Sequence, residues 1–243
     1  MSIGEVVMPI GFSRGTLLYA ENFPVADGLV MWVSTKEPAS NPGDGNLYDI
    51  SSTGLTFTGN SWKITSTGLR GGSGAYVSQS TSILNDDTHT ILYYFRQSGF
   101  TSGWQKIFGY PSSGQDRSPG VWRYSNRRSW HWQYNPNNSS AGMGYTGTDS
   151  SGGQFSDNKD HFIGVTKNGG TSRAYVNRLM VVQRGVSNPK TGGNSSIYLM
   201  ETGATNIYCD SWFIWNRPLS DDEVYKMHDY VKGKYYPNLE SRT

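Results

Sequence analysis

Between residues 28 and 215 the chain alternates short apolar runs with clusters of Gly, Ser, Asn, Asp and Pro, and this punctuation restricts the fold more than any other feature. The runs are 29–33, 55–58, 75–78, 89–96, 105–110, 120–124, 130–134, 161–167, 173–176, 179–183, 197–200 and 208–215. Separators such as Asn41-Pro42-Gly43-Asp44-Gly45, Gly71-Gly72-Ser73-Gly74 and Asn168-Gly169-Gly170 lie between them. Many short strands with frequent turn signals predict an all-β fold, a two-sheet antiparallel sandwich or jelly roll. No repeat of fixed period runs through the chain, which argues against a propeller or solenoid. At 243 residues it is long for one domain, but sandwiches reach this length around a single core.

One helix is signalled. Ser220-Asp221-Asp222-Glu223 has the form of a capping box, with Ser220 at the N-cap and Glu223 three residues on. Leu219 and Val224 fit the flanking hydrophobic staple. Asp221 and Asp222 complement the positive end of the helix. Val224, Met227, His228 and Val231 recur on one face, and Gly233 is the expected stop. The helix is therefore predicted over 221–232, with His228 as a packed side chain rather than a ligand.

Three segments, in order, resemble the laminin G-like branch of the concanavalin A-like lectin/glucanase superfamily. The first joins Gly28-Leu29-Val30-Met31-Trp32, Leu47-Tyr48-Asp49-Ile50-Ser51-Ser52-Thr53-Gly54 and Gly59-Asn60-Ser61-Trp62. The second is His161-Phe162-Ile163-Gly164-Val165-Thr166 followed by Arg173-Ala174-Tyr175-Val176-Asn177-Arg178, where Arg178 stands in place of the family's usual turn glycine. The third, 210–223, is the most specific and is similar to the family's closing strand, Asn-Arg-x-Leu-Ser turn and short helix. The resemblance implies a concanavalin A-like jelly roll over 28–236, after an N-terminal arm (1–27) and before a tail (237–243). It also implies that Asp210 is structural, accepting hydrogen bonds from turn amides.

Catalysis is not expected. Glucanase members carry closely spaced acidic residues on one strand, and alternation puts those carboxylates on one face, as two-carboxylate glycoside hydrolysis requires. This chain has Glu only at 5, 21, 37, 201, 223 and 240, none followed by Asp two residues later. His89, His131, His161 and His228 have no metal-ligand spacing, and no nucleophile elbow or phosphate loop is present. No catalytic or metal-ligating residue is assigned. No cofactor is expected either: the turns at 41–49 and Asn85-Asp86-Asp87 offer oxygen atoms of the kind calcium takes, but solvated, side-chain-capped turns account for them. Cys209, the single cysteine, rules out an internal disulfide and reads as a small buried hydrophobe.

The densest chemistry lies at 120–134. Alternation puts Trp122 and Tyr124 on one face of a strand, and Trp130, Trp132 and Tyr134 on one face of the next. Arg123, His131 and Gln133 take the opposite face. If the register unites the rings, they either fill the core or floor a groove where they stack on sugars, with Trp122, Arg123, Tyr124, Trp130, His131, Trp132 and Tyr134 as the candidate ligand-binding set. The sequence leaves both open.

Net charge is +2 and basic residues cluster only at Arg123, Arg127 and Arg128, so a nucleic-acid partner is not expected. No apolar stretch is long enough to cross a bilayer as a helix, and the N-terminus does not read as a secretion signal. The arm offers Val7, Ile10, Phe12 and Leu17 as anchors. It either packs on its own domain or docks on a neighbouring subunit or another protein. These features suggest a non-enzymatic structural or binding module, foremost a surface protein of a tailed-phage virion (head decoration, collar or fibre-associated) that contacts other virion proteins through the arm. The alternative is a cellular carbohydrate-binding or adhesion module, and glycans are a ligand class open to either.

Overall fold

The structure is a computed structural model. It describes residues 23–59, 64–65, 68–70, 76–81, 83–84, 87–98, 105–109, 120–123, 130–133, 144–145, 158–185, 195–200 and 206–236. The arm anchors Val7, Ile10, Phe12 and Leu17, the hairpin residues Tyr124 and Tyr134, and the tail lie outside these.

The described residues form two antiparallel sheets and one helix, the sandwich expected from the punctuation. The first sheet holds β1 (Leu29–Ser34), β4 (Ile64–Thr65), β5 (Gly68–Arg70), β7 (Thr88–Gln97), β12 (Asp160–Asn168), β13 (Thr171–Val176), β14 (Leu179–Gly185) and β16 (Ile207–Trp215). Its order is β14-β13-β12-β7-β16-β5-β4, with β1 also paired to β16. The second holds β2 (Asn46–Tyr48), β3 (Thr56–Gly59), β6 (Tyr76–Thr81), β8 (Gln105–Gly109), β9 (Gly120–Arg123), β10 (Trp130–Gln133), β11 (Gly144–Tyr145) and β15 (Ser195–Leu199). Its order is β11-β10-β9-β8-β15-β6-β3-β2. The helix α1 spans Asp221–Tyr235.

The first sheet is covered on both faces, which is why its central strands read as unbroken apolar runs rather than alternating ones. Along β7, Ile91, Tyr93 and Phe95 enter the core between the sheets, while Leu92 and Tyr94 enter an outer layer. Along β16, Cys209, Trp212 and Ile214 point inward, while Phe213 and Trp215 point outward. The outer layer is closed by Val224, Met227 and Val231 of α1. Each large apolar side chain buried this way contributes about 1.5–3 kcal/mol.

The helix begins where the capping box predicts. The Ser220 hydroxyl accepts from the Glu223 amide, and the Glu223 carboxylate accepts from the Ser220 amide at 2.9 Å. Its end corrects the sequence reading: Gly233 does not stop it, and α1 runs on to Tyr235. Beyond the glycine, the Tyr236 ring is buried and stacks on Tyr94 with centroids 3.4 Å apart. That packing outweighs the cost of about 1 kcal/mol for a helical glycine. His228 is fully buried, edge-on to Phe162.

The last residues of the arm are already part of this layer. Phe23 lies 4.8 Å from the Trp32 ring and 5.3 Å from that of Tyr230, and the Trp215 indole donates to the Val25 carbonyl at 2.8 Å. Phe23 and Val25, within the arm as drawn from the sequence, thus pack on the domain.

Two turns explain themselves locally. In the β13–β14 hairpin it is Asn177, with φ +54°, that takes the left-handed conformation, so Arg178 needs no glycine-like freedom. Asn177 is also pinned, its side-chain oxygen accepting from the Phe162 amide at 3.0 Å. In the turn after β2, Asp49 accepts from the amides of Trp32 and Ser51 at 2.8 Å each, and from the hydroxyls of Ser51 and Thr53. Asp49 therefore fills the role expected of Asp210. Asp44 likewise accepts from the Asn46 amide and the Tyr48 hydroxyl, so both carboxylates of this turn are used in capping.

Candidate functional site

The β9–β10 pairing settles how the aromatic hairpin is built. Trp130 lies opposite Arg123, His131 opposite Trp122, and Trp132 opposite Val121. Cross-strand partners share a face, so this register separates the rings. Trp130 and Trp132 point into the core between the sheets, with ring centroids 6.3 Å apart. Trp122 lies on the other face with His131, edge-on at 6.0 Å, and the Lys106 ammonium stands 5.3 Å from the Trp122 ring.

The register that would unite Trp122 with Trp130 and Trp132, left open by the sequence, is not the one adopted, and Arg123 and His131 fall on opposite faces rather than together. Arg123 faces inward beside Trp130, is fully buried, and donates from Nε to the Gln105 side-chain oxygen at 2.6 Å. Alternation along each strand was read correctly, but the stagger between the strands was not visible. Trp122, Arg123, Trp130, His131 and Trp132 are all buried, none above 6% exposed.

A different arrangement lies at the end of the outer layer, on elements far apart in sequence. A cavity of about 210 Å³ opens there. Tyr94 and Arg96 reach it from β7, Asp160 from the start of β12, and Asp210 from β16. Lys36 comes from the loop after β1, and Tyr235 and Tyr236 from the end of α1. Arg96 and Asp160 form a bidentate pair, Nε to Oδ1 and Nη2 to Oδ2, both at 2.8 Å, geometry that makes such pairs strong and well oriented.

Asp210 owes its position to a β-bulge. Opposite β7, Cys209 pairs with Phe95 and Ser211 with Tyr94, which leaves Asp210 as the extra residue. Bulges re-aim side chains in this way. The close approach of β5 helps to hold it: Gly68, with φ +118°, sits where a Cβ would come within 2.9 Å of the Asp210 Cβ. Asp210 is 3% exposed and its Oδ1 has no hydrogen-bond partner. The hydroxyls of Tyr94, Tyr235 and Tyr236 are likewise buried without partners. Burial pushes the Asp210 carboxyl well above the usual carboxylate range, against the opposing pull of the Lys36 charge. Burial, then the neighbouring Asp160 and Asp210, also raise the Tyr94 phenol, so it stays protonated.

Sequence reading did not find this cavity. Its only local signal is Asp210, an acid within an otherwise apolar strand. Burial raises the thiol of neighbouring Cys209, which donates to the Tyr94 carbonyl at 2.9 Å, as a packed, unreactive cysteine would. Among the described residues no group of three or more His, Cys, Asp or Glu is placed to hold a metal ion. No helix among them is long and apolar enough to cross a membrane.

The sequence matches no protein-family model and no curated protein. The structure is similar to Trypanosoma rangeli sialidase in complex with sialic acid, at 16% identity and a TM-score of 0.63, over 88% of this chain and 34% of that one. It is similar to the binding domain of botulinum neurotoxin serotype D, at 13% identity and a TM-score of 0.63, over 85% of this chain and 52% of that one. It is also similar to the binding domain of Paraclostridial Mosquitocidal Protein 1, at 15% identity and a TM-score of 0.63, over 85% and 53%. The chain therefore spans about a third of the sialidase and about half of each toxin domain. At this identity the likeness shows the fold, a β-sandwich consistent with the concanavalin A-like, lectin-type domain that the sequence motifs resemble.

Proposed function

We propose that the chain is a non-enzymatic binding module whose ligands are glycans. The observation that carries this reading is the state of the two carboxyl groups in the outer cavity. Hydrolysis by a carboxyl pair needs one ionised group free to attack or to activate water, beside a second that donates a proton. Here both oxygens of Asp160 are engaged by Arg96, and Asp210 is sealed in a site that disfavours its charge. Such an arrangement can hold a ligand but has no free base. The fold it shares with two toxin binding domains supports the same reading. The likeness to a sialidase brings no activity with it, since it spans only a third of that chain.

The setting proposed for this module is the surface of a tailed-phage virion, attached to capsid or tail proteins through Val7, Ile10, Phe12 and Leu17. Support comes from sequence: a Gly-, Ser- and Asn-rich chain with only 16% charged residues and an apolar N-terminal segment. A glycan array probed with the purified chain tests the ligand class, and glycan binding without release of reducing sugar is expected. Sugar release that a point mutation abolishes would return the chain to the enzymes. Co-purification of full-length protein with particles, lost on deleting residues 1–20, tests the setting. Normal incorporation of the truncated form would remove the arm from attachment.

A further inference from the structure

We infer that the cavity between the end of α1 and the Asp210 bulge is the ligand site, and that it takes one uncharged, polyhydroxylated residue such as a neutral hexose. This rests on the reading of the chain as a glycan-binding module and names the place and the chemistry.

Four of the residues that line this cavity each carry a buried polar atom without a partner: Asp210 Oδ1 and the hydroxyls of Tyr94, Tyr235 and Tyr236. A buried polar atom left unmatched costs about 1–3 kcal/mol, so four around one cavity amount to a strong demand for a guest. The three phenols each donate and accept, and burial favours the protonated form of the Asp210 carboxyl, which does the same. A guest carrying several adjacent hydroxyls matches them; an apolar guest does not.

Charge selects against ions. Arg96 and Asp160 neutralise each other in the bidentate pair, and Lys36 lies close enough to act on Asp210. An anion would meet the Asp160 carboxylate, and a cation would meet Arg96 and Lys36. Volume limits the size, since about 210 Å³ is below the roughly 300–1,000 Å³ of pockets that take drug-sized molecules. The Tyr94 and Tyr236 rings, stacked at an interplanar angle of 11°, give the cavity one rigid wall. Tyr235, on the last turn of α1, is only partly buried.

The test uses the full chain and saturation-transfer NMR. The probes are glucose, galactose, mannose and N-acetylglucosamine, set against anionic N-acetylneuraminic acid and cationic glucosamine. Tyr94→Phe and Tyr235→Phe each delete one hydroxyl and keep the ring, and a thermal melt confirms that each variant is folded. At least one neutral probe is expected to bind, more weakly by about tenfold in each variant, as loss of one buried hydrogen bond predicts. A neutral sugar that binds wild type and both variants alike would overturn the cavity as the site and leave the glycan-binding reading intact. Retained array binding with no neutral probe bound would mean that the cavity holds water only, and the inference falls. Preference for a charged probe overturns the charge argument and the inference with it. A folded wild type that binds neither array nor probes overturns both readings.

Discussion

The β9–β10 hairpin carries Trp122, Trp130, His131 and Trp132 within eleven residues, whereas the outer cavity draws its side chains from positions spread between 36 and 236. In the hairpin the two inward tryptophans are absorbed by the core, and Arg123 beside them has Gln105 as its partner. In the cavity, three phenol hydroxyls and one oxygen of the Asp210 carboxyl are buried without partners, and their residues line open volume rather than a packed core. Dense aromatic sequence in a sandwich is first a way of filling the space between sheets. A convergence of unmatched polar atoms at a bulge is a better mark of a site, because packing alone gives it no reason to exist.

The sharpest way to break this contrast is Trp132→Ala. If the ring is core, the substitution costs about 3–5 kcal/mol, read from urea unfolding. A loss below about 1 kcal/mol would mean that the ring is available for a ligand, and the hairpin would return as a candidate site. Gly68→Ala comes next, since the left-handed backbone and the contact with the bulge both oppose a Cβ. A cost of about 1–3 kcal/mol is expected, together with weaker sugar binding, because the bulge must shift. Ser220→Ala should cost about 0.5–2 kcal/mol without touching binding, since the cap lies at the far end of α1.

The same cap has an acid limb. Arg217 first, then the Ser220 amide and hydroxyl, hold Glu223 at about 2, below its ordinary 4.5. Its contribution is therefore complete above about pH 4.5 and is lost as pH falls toward 2. Glu223→Gln should abolish that part of the acid sensitivity, measured as the melting temperature across the range. An unchanged profile would show that the box does not govern it.

Much of the fold was legible because its signals are local. Strand runs, turn clusters and the capping box at Ser220 each follow from residues within a few positions of one another. The end of α1 was not, because Tyr236 is kept in place by Tyr94, which lies on β7. The faces of the hairpin were half legible: alternation gives the face along one strand, but the stagger between strands is set by backbone pairing that the side chains do not announce. The cavity was almost invisible, since Asp160, Asp210 and the three tyrosines meet only after β7, β12, β16 and α1 have assembled. Asp210 stands out as an acid in an apolar strand, but the turn-capping role that the family resemblance implies for it is performed by Asp49.

The smallest expected effect is the most informative about the cavity. Asp210→Asn keeps the shape of the side chain and removes its titration. Burial raises the folded carboxyl above its ordinary value, with Lys36 and Arg96 pulling down and Asp160 pushing up. A raised carboxyl binds its proton more tightly in the folded chain than in the unfolded one. Stability is then greatest below the unfolded value of about 3.8 and declines as pH rises from there through the folded value. At neutral pH the native aspartate works against the fold, so the asparagine variant should melt higher. The gain should be about 2–4 °C for each kcal/mol recovered in a chain of this size, and it should fade below pH 4. A gain that does not fade would come from packing rather than charge. A loss at neutral pH would mean that Asp210 is ionised and already partnered, so the cavity would no longer need a guest at its centre and its contrast with the hairpin would disappear.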